Sequence, residues 1–451
     1  MNTKSGKKER GLQLKAIVRA LRYRNFRLFF SGQSVSLIGT WMQRIALSWL
    51  VYEMTHSTFL LGVVSFSGQI PTLIFAPIAG VVADRVNRHR FLVITQSLAM
   101  LQAFVLAFLV MTGLIRVWEI IILSVILGII NVLDMPTRQS FMIEMIDDKK
   151  DLGNAIALNS SMVNGARLLG PSIAGLLISL AGEGICFLIN GISYIAVIGS
   201  LLLMHIARKE AKSRNGKVWS QIKEGFSYVN GFPPLRAIIL MLALISLMGM
   251  PYGVLMPVFA KNILHGGPDI LGFLMGAAGV GALTGAIYLA SRKTVLGLGK
   301  MIPIAASVFG LGLVLFSFSN MLVLSLLLML FTGFGQMVQL ASSNTLLQTI
   351  TDDSKRGRVM SLYGMAFMGV MPIGSLIAGA VASKIGVQWT VFIGGATCVL
   401  GAIYFARKLP ALRRMVRPIY ASMGILPEIA MGIQRASESS VPDKYSKPEE
   451  F

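Results

Sequence analysis

Apolar stretches of roughly 20 residues, the length that crosses a bilayer core as a helix, recur along the whole chain between short polar turns. Several stretches are longer, which is typical of tilted helices whose ends protrude from the bilayer. The pattern predicts an all-α polytopic membrane protein with twelve transmembrane helices, near residues 26–53, 59–83, 91–113, 118–146, 152–181, 184–205, 235–263, 269–291, 300–319, 321–350, 357–383 and 386–406.

The longest predicted loop divides the chain into two halves of six helices each. This loop is rich in Lys and Arg, a composition that fixes topology or binds anionic lipid. We expect five segments: a basic cytoplasmic tail at 1–25, an N-terminal six-helix bundle at 26–205, a cytoplasmic linker loop at 206–234, a C-terminal six-helix bundle at 235–406 and a mobile cytoplasmic tail at 407–451.

The composition supports a lipid environment, and the charge distribution indicates the orientation. Hydrophobic residues make up 54% of the 451, charged residues 14%, and the mean hydropathy is +0.70, which excludes a water-soluble domain. A net charge of +21 would suggest nucleic-acid binding in a soluble protein. Of the 41 Lys and Arg residues, however, only Arg116, Lys261 and Lys384 fall in turns predicted to face outward. This positive-inside distribution predicts a multi-pass protein of a bacterial-type inner membrane, with both termini cytoplasmic and no nucleic-acid partner.

Residue types that serve metal and thiol chemistry are few and scattered. Cys186 and Cys398 each lie in an apolar stretch, where cysteine acts as a small buried hydrophobe. The four histidines have no partners at metal-ligand spacing, and the sequence contains no G-x-x-x-x-G-K-[ST] loop. We therefore expect no enzymatic activity, no metal, no cofactor and no direct use of ATP. Nothing in the sequence demands a partner subunit, so we expect a monomer.

An internal repeat relates the two halves. Residues 128–152 recur 205 positions later as 333–357. The helices that follow also correspond, with Gly170 and Pro171 near the counterpart of Pro372, and we take these three as candidate gating residues. Two similar bundles that rock about a midplane site are the basis of alternating access, so we expect the substrate between the halves. A channel is disfavoured because the sequence contains no carbonyl-filter signature or charged ring.

The seventh predicted helix contains a cluster of helix-breaking residues. These are Gly249, Pro251, Gly253 and Pro257. Sharp kinks in helices arise at such residues, so the cluster predicts a bending element in this helix.

The turn after the second helix carries a recognisable motif, Gly80-Val-Val-Ala-Asp84-Arg85-Val-Asn-Arg88-His-Arg90. It resembles the motif between the second and third helices of the major facilitator superfamily, which implies two pseudo-symmetric six-helix bundles and a gate at this turn. A small residue at Gly80 would let two helices approach closely. Asp84 would accept hydrogen bonds from a neighbouring helix N-terminus and pair with Arg85 or Arg88. The alternative is that the basic residues only fix topology.

Other segments are similar to one branch of that superfamily, which contains macrolide-efflux and enterobactin-exporter proteins. Three segments carry this resemblance, at residues 36–43, 134–141 and 157–160. Residues 164–175 are similar to the antiporter motif of drug exporters, although Arg167 stands where that motif is usually small and apolar. The resemblance spans residues 20–410 and implies export from the cytoplasm by drug:proton antiport.

Three ionisable residues fall inside predicted helices, where each costs about 2.5 to 3.5 kcal/mol to insert unless it has a partner, water or a function. They are Arg44, Asp134 and Arg167. The spacing of Asn131, Asp134 and Arg138 places them along one face of the fourth helix. We expect Asp134 to pair with Arg138 or with Arg167 and to exchange protons during the cycle. A permanent structural pair with Arg138 is an equal alternative.

Two polar stripes are candidates for the lining of a substrate cavity. The first helix contributes Trp41, Gln43 and Arg44, and the tenth contributes Gln336 and Gln339. Lipid would penalise these groups, so they either line a cavity or form hydrogen bonds between helices. Arg44 would then serve as the counter-charge for an anionic or zwitterionic substrate.

The sequence thus predicts a secondary active transporter that exports small amphipathic molecules, such as a drug, macrolide or siderophore, by proton-coupled antiport. Its expected partners are that substrate and the lipid bilayer. A lipid flippase or an importer of the same fold would have the same topology. A membrane receptor without net transport is a further alternative.

Overall fold

The structure, a computed structural model, describes residues 18–205, 218–292 and 294–423, apart from the side chains of residues 77, 81, 84 and 218–222. Every regular element in these residues is helical, which confirms the predicted all-α class. We number the main helices α1 (Arg24–Thr55), α2 (Thr58–Arg85), α3 (Arg88–Met111), α4 (Val117–Glu144), α5 (Leu152–Ala181), α6 (Glu183–Leu202), α7 (Val218–Gly231), α8 (Pro233–Ile263), α9 (Pro268–Ala290), α10 (Leu298–Ser317), α11 (Leu322–Ile350), α12 (Arg356–Ile385) and α13 (Val387–Ser422).

Within the described residues, eleven helices are long and apolar enough to cross a membrane. They are α2 to α6 and α8 to α13. The remaining long helix, α1, has 32 residues but carries Gln33, Gln43 and Arg44, which lower its mean hydropathy. The chain is therefore a polytopic membrane protein, and the crossing by α1 stays a prediction.

The last helix is longer than the sequence pattern predicts. The predicted span ends at residue 406, whereas α13 continues to Ser422. The added turns are amphipathic: Leu412 and Val416 are buried, and Arg413 and Arg414 between them are exposed. Because its polar face lies in solvent, this extension escapes a search for apolar spans. The predicted boundary of the mobile tail at 407 is therefore wrong.

The predicted linker loop at 206–234 is also partly helical, since it contains α7 and the first two residues of α8. The first seventeen residues, residues 206–217 and the chain after residue 423 lie outside the described residues. The predictions of an N-terminal tail, a linker loop and a mobile C-terminal tail concern mostly these parts.

The helices pack in a pattern that agrees with two related halves. In the first half, α1 packs against α5 and α6, and α4 packs against α2 and α3. In the second half, α10 packs against α11 and α13, and α11 packs against α9. The most extensive contacts between the halves are α5 with α9 and α2 with α12.

In both of these contacts between the halves, a glycine of one helix packs against a glycine of the other. A Cβ atom at Gly175 in α5 would lie 2.9 Å from Cα of Gly272 in α9. A Cβ atom at Gly379 in α12 would likewise lie 2.9 Å from Cα of Gly62 in α2. Small residues allow backbones in a membrane to approach this closely. The halves therefore meet at two glycine crossings that correspond in the internal repeat.

The two ends of the molecule differ in loop length and charge. At the short-turn end, helices are joined through residues 56–57, 112–116, 182, 264–267, 318–321 and 386. The basic end contains the start of α1, the turn between α2 and α3, the loop between α4 and α5, and α7. Both glycine crossings lie toward the short-turn end.

The regular hydrogen bonding of α8 is interrupted twice by π-helical segments, Ile245–Gly249 and Phe259–Ile263. Pro251 and Pro257 lie after and before these segments. The structure thus contains a local change of helix type where the sequence predicts a bending element, and the bend itself stays a prediction. Helix α12, which packs against α8, also contains a π-helical segment, Met365–Gly369.

A short helical segment precedes each half and binds to a loop of that half. Tyr23, which follows the 3-10 turn Arg19–Arg22, donates a hydrogen bond to Asp151 over 2.9 Å. Tyr228 in α7 donates one to Asp352 over 3.1 Å. The two tyrosines are 205 positions apart, which is the offset of the repeat. We call the two segments the lead-in segments.

Candidate functional site

Trp41 lies where α1 and α5 approach closely. A Cβ atom at Gly170 would lie 2.4 Å from Cβ of Trp41, so α5 carries glycine at this position. Two guanidinium groups lie against the indole. The Cζ atom of Arg44 is 4.5 Å from the ring centre and that of Arg167 is 5.9 Å from it, both within the range of cation–π attraction. The structure thus brings three of the predicted site residues together.

Arg167 links this group to the other half of the molecule. Its Nη2 donates a hydrogen bond to Oε1 of Gln336 in α11 over 3.2 Å. Nε2 of Gln336 in turn donates to the sulfur of Met250 in α8 over 3.1 Å. Because α5 belongs to the first half and α11 to the second, these residues lie at the boundary between the halves. We call Arg44, Trp41, Arg167 and Gln336 the arginine cluster.

The two arginines of the cluster have no acidic partner within the residues that the structure describes. The predicted pair of Arg167 with Asp134 is therefore wrong. The side chain of Arg44 is exposed, although its neighbours Gln43 and Ile45 are buried. An exposed cation far from the helix ends requires water rather than lipid around it. Arg44 accordingly faces a water-accessible space at the boundary between the halves.

Asp134 belongs to a separate polar group between α3 and α4. Its Oδ2 lies 3.3 Å from Nε of Arg138, one turn along α4. Its Oδ1 accepts hydrogen bonds from Thr95 over 2.9 Å and from Gln96 over 2.7 Å. The carboxylate is buried, and all of these partners are in the first half. Of the two arginines predicted to pair with Asp134, Arg138 forms the pair in the structure.

Asn131 differs from Asp134 in its surroundings, although both lie on the polar face predicted for α4. Asn131 is exposed, and it lies on the opposite side of α4 from the exposed apolar residues Ile122 and Ile126. Those isoleucines are suited to lipid, and Asn131 is suited to water. We infer that Asn131 faces the same water-accessible space as Arg44.

Gln43 holds the helices of the first half together. Its Oε1 accepts a hydrogen bond from Asn190 in α6 over 2.6 Å, and its Nε2 donates to Gln102 in α3 over 3.1 Å. All three side chains are buried. Gln339 in α11 is also buried and donates to Ser343 over 3.2 Å. For Gln43 and Gln339 the structure therefore favours bonding within one half over cavity lining.

The superfamily-like motif at the basic end differs from its expected geometry. Among the described residues, no atom lies within 4 Å of a Cβ placed on Gly80, so the predicted close helix approach is wrong. Arg85 is exposed. Arg88 pairs with Glu144 at the end of α4 over 2.5 Å. The side chain of Asp84 lies outside the described residues, and so does its predicted pairing.

The short-turn end, by contrast, holds the two halves together. Nζ of Lys261 lies 2.6 Å from Oε2 of Glu53, and Asn262 donates to the hydroxyl of Tyr52 over 2.7 Å. These contacts join α1 to α8 and supplement the two glycine crossings. The halves are thus in contact at the short-turn end, whereas at the basic end no described atom lies within 4 Å of a Cβ placed on Gly80.

The predicted gating prolines are both buried in helices that form the crossings. Pro171 lies in α5, and its carbonyl oxygen would be 2.7 Å from a Cβ on Gly272. Pro372 lies in α12, next to the π-helical segment. Pro171 therefore lies at a contact between the halves, whereas Gly170 packs on α1 within its own half.

Several interacting residues escape sequence reasoning because their partners are distant in the chain. Glu144, Asn190, Gln102 and the pair of Glu53 with Lys261 are of this kind. The sequence signal that could have identified Asn190 and Gln102 is the position of each polar residue within an apolar stretch. For Asp151, which pairs with Arg19 and Arg22, the basic N-terminal segment gave no indication of a partner.

The fold, the packing of two related halves and the boundary site define a membrane transporter of the major facilitator superfamily. A family model described as transmembrane secretion effector matches residues 17–422. The chain belongs to this family.

The chain is similar to efflux proteins and to a siderophore transporter. The staphyloferrin A transporter of Staphylococcus aureus is 26% identical, over 84% of this chain and 96% of its own length. Macrolide efflux protein A of Streptococcus pyogenes is 24% identical, over 85% and 96%. The multidrug efflux pump Tap of Mycolicibacterium fortuitum is 24% identical, over 82% and 92%.

Solved structures of low sequence identity share the fold. A bacterial homologue of the iron transporter ferroportin in an inward-facing state has a TM-score of 0.66 at 17% identity, covering 86% of this chain and 98% of that one. The nucleoside transporter NupG has a TM-score of 0.68 at 14% identity, covering 85% and 99%. These likenesses concern the fold alone.

Proposed function

We propose that this protein exports small amphipathic molecules from a bacterial cytoplasm across the inner membrane by alternating access, in exchange for protons. The observation that carries the proposal is the arginine cluster at the boundary of two halves that touch at the short-turn end. A site at this boundary can be exposed to either side as the halves rock. The similarity to macrolide efflux protein A and to the multidrug efflux pump Tap supports export.

The charge distribution supports the orientation. Loops at the basic end carry most of the Lys and Arg, and such loops remain in the cytoplasm. In this orientation both termini are cytoplasmic. The contacts at the short-turn end then close the outer side, which corresponds to an inward-facing state able to accept substrate from the cytoplasm.

Asp134 is the best candidate for proton coupling. It is the one acidic residue far from both ends of a long helix in the described part of the chain. Protonation of its carboxyl group would remove the charge that holds Arg138 and would free that arginine for another partner. A proton arriving from one side could in this way change the contact between α3 and α4.

The test is transport into inside-out vesicles under an imposed proton gradient, with siderophores, macrolides and dyes as candidate substrates. Asp134→Asn is compared with wild type and with Glu119→Gln, a matched change at the exposed start of the same helix. The proposal expects wild-type uptake that an uncoupler abolishes, and a Glu119→Gln variant that behaves like wild type.

For Asp134→Asn we expect loss of uphill uptake with retention of substrate counterflow, since counterflow needs alternating access but no proton exchange. Full gradient-driven uptake by this variant would rule out coupling through Asp134. Loss of both activities in a correctly inserted protein would favour a structural pair with Arg138. Substrate binding without flux in wild type would favour a receptor.

A further inference from the structure

The arginine cluster concentrates positive charge at a depth where charge is costly. Two cations lie against one indole ring, and within the described residues neither has an acidic partner. Charged residues within membrane helices are rare and mark sites that bind a partner, water or a substrate. The cation–π contacts with Trp41 hold the two guanidinium groups in place without neutralising their charge.

The hydrogen-bonding capacity of the cluster is also largely unused. A guanidinium group has five N–H donors. In the described part of the chain, the side chain of Arg44 makes no hydrogen bond, and Arg167 makes one, to Gln336. The Gln43 network and the Asp134 group make their hydrogen bonds with partners in their own half. The arginine cluster therefore keeps several N–H donors available to a bound molecule.

The geometry brings both guanidinium groups within reach of one small molecule. Because their Cζ atoms lie 4.5 Å and 5.9 Å from the same ring centre, they are no more than about 10 Å apart. Arginine matches the planar oxygens of carboxylates with paired hydrogen bonds. The indole face between them can pack on the apolar part of the same molecule.

We propose that the arginine cluster binds a substrate with two or more anionic groups, in particular a polycarboxylate, and that Arg44 and Arg167 each bind one of them. The proposal rests on the proposed function, because it names the substrate class of that transporter. Gln336 supplies an amide beside Arg167 that suits a carboxyl or hydroxyl oxygen. A cationic compound would meet two like charges at this site and is disfavoured.

The first experiment measures binding of citrate to the purified full chain in lipid nanodiscs by calorimetry. Inorganic phosphate and the cationic dye ethidium serve as comparison probes. We expect citrate to bind wild type and ethidium not to bind. Phosphate that binds as tightly as citrate would overturn the assignment of carboxylates as the preferred groups.

Variants then test the two arginines separately. A hydrogen bond to a charged group contributes about 1.5 to 3 kcal/mol, so Arg44→Gln and Arg167→Gln should each weaken citrate binding roughly 10- to 100-fold. Arg236→Gln, which removes an exposed arginine at the start of α8, should leave the affinity unchanged. Trp41→Phe keeps an aromatic face and should weaken binding less than either arginine change.

A purely structural role predicts a different pattern. If the arginines only stabilise the fold, their loss would lower the melting temperature without a selective loss of citrate affinity. Equal citrate affinity in wild type and in folded Arg44→Gln would overturn the proposal. Ethidium export without citrate binding would overturn it too, while leaving an exporter. Citrate binding without flux would retain the site and reject the transport function.

Discussion

Two ion pairs of the first half differ in burial. Burial decides how much each pair contributes to the free energy of unfolding. The carboxylate of Asp134 is 4% exposed, whereas that of Glu144, bound to Arg88, is 22% exposed. Removal of the Asp134 carboxylate would leave buried Thr95 and Gln96 without their acceptor as well as Arg138 without its partner, and breaking a buried pair costs about 3 to 5 kcal/mol. A pair in contact with water contributes about 1 kcal/mol or less.

We therefore expect Asp134→Ala to lower the free energy of unfolding by about 3 kcal/mol or more, and Glu144→Ala by about 1 kcal/mol or less. Thermal unfolding in a fixed detergent compares the two variants directly, with wild type as reference. Equal destabilisation by both would contradict the view that burial decides the contribution of these pairs.

For individual residues, the sequence predicts contacts between side chains one turn apart on the same helix. It does not predict contacts between helices. The pair of Asp134 with Arg138 follows from their spacing of four residues. The meeting of Arg44 with Arg167 on Trp41 requires the packing of α1 on α5, which periodicity does not specify. Residue type indicates that a charge in an apolar stretch needs a partner. It does not indicate which helix supplies that partner.

The crossing of α5 and α9 depends on the absence of a side chain at Gly175. A methyl group there would lie 2.6 Å from the carbonyl oxygen of Pro268, and backbone atoms cannot move aside singly. Overpacking of this kind costs about 1 to 3 kcal/mol. The cost applies only to the state in which the short-turn end is closed.

Gly175→Ala should accordingly shift the protein away from the closed short-turn end by roughly 5- to 150-fold, the range that 1 to 3 kcal/mol represents. Transport would fall while insertion and expression remain normal. Gly165→Ala in the same helix is the control, because no described atom lies within 4 Å of its added Cβ. Identical transport by the two variants would count against the crossing as a gate.

The ion pairs between α7 and the start of α12 are expected to respond to pH. Glu224 binds Lys355 and Arg358. The hydrogen bond from Lys355, followed by the positive charge of Arg358, lowers the pKa of Glu224 below its ordinary value of 4.5. A lowered pKa means that the contribution to docking is complete above pH 4.5 and is lost as the pH falls through the lowered value.

Hydrogen exchange of the backbone amides in residues 223–231 should therefore be slow at neutral pH and should rise below about pH 4.5, after correction for the intrinsic rate. Glu224→Gln should show fast exchange at neutral pH and no such transition. Protection in wild type that persists unchanged into strong acid would show that α7 is held by other contacts.

At the level of helices, apolar spans were predictable and amphipathic ones were not. The lengths of α2 to α6 follow from continuous hydrophobicity, which is the property that insertion requires. The end of α13 and the whole of α7 place polar faces in solvent. Their mean hydropathy is therefore low, and a search for apolar spans assigns them to loops. Periodicity of 3.6 residues rather than mean hydropathy is the signal that would identify them.

The whole molecule is closed at the short-turn end, so its water-accessible space should open at the basic end. Asn131→Cys should react with a membrane-impermeant maleimide in inside-out vesicles and not in right-side-out ones. Ile122→Cys, exposed on the lipid side of the same helix, should react in neither. The native cysteines are buried and give no background. Labelling of Asn131→Cys from the opposite side alone would reverse the inferred conformation.

At the level of the whole fold, duplication made the architecture predictable from the sequence. The repeat at an offset of 205 indicates two halves, and the charge bias orients them. The conformation was not predictable, because one sequence must fit several states that differ by small energies. The close approach expected at Gly80 is absent among the described residues.

The lead-in segments have a consequence for how the protein is assembled. Each half carries its own anchoring contact, Tyr23 with Asp151 and Tyr228 with Asp352, so neither half relies on its covalent connection to the other to fix its first helix. Two separate polypeptides, residues 1–211 and 212–451, should therefore associate and restore transport when they are produced in the same cell. Co-purification of a tagged first fragment with the second would demonstrate the association. Tyr228→Phe in the second fragment should reduce the yield of the complex more than the same change reduces the yield of the intact chain.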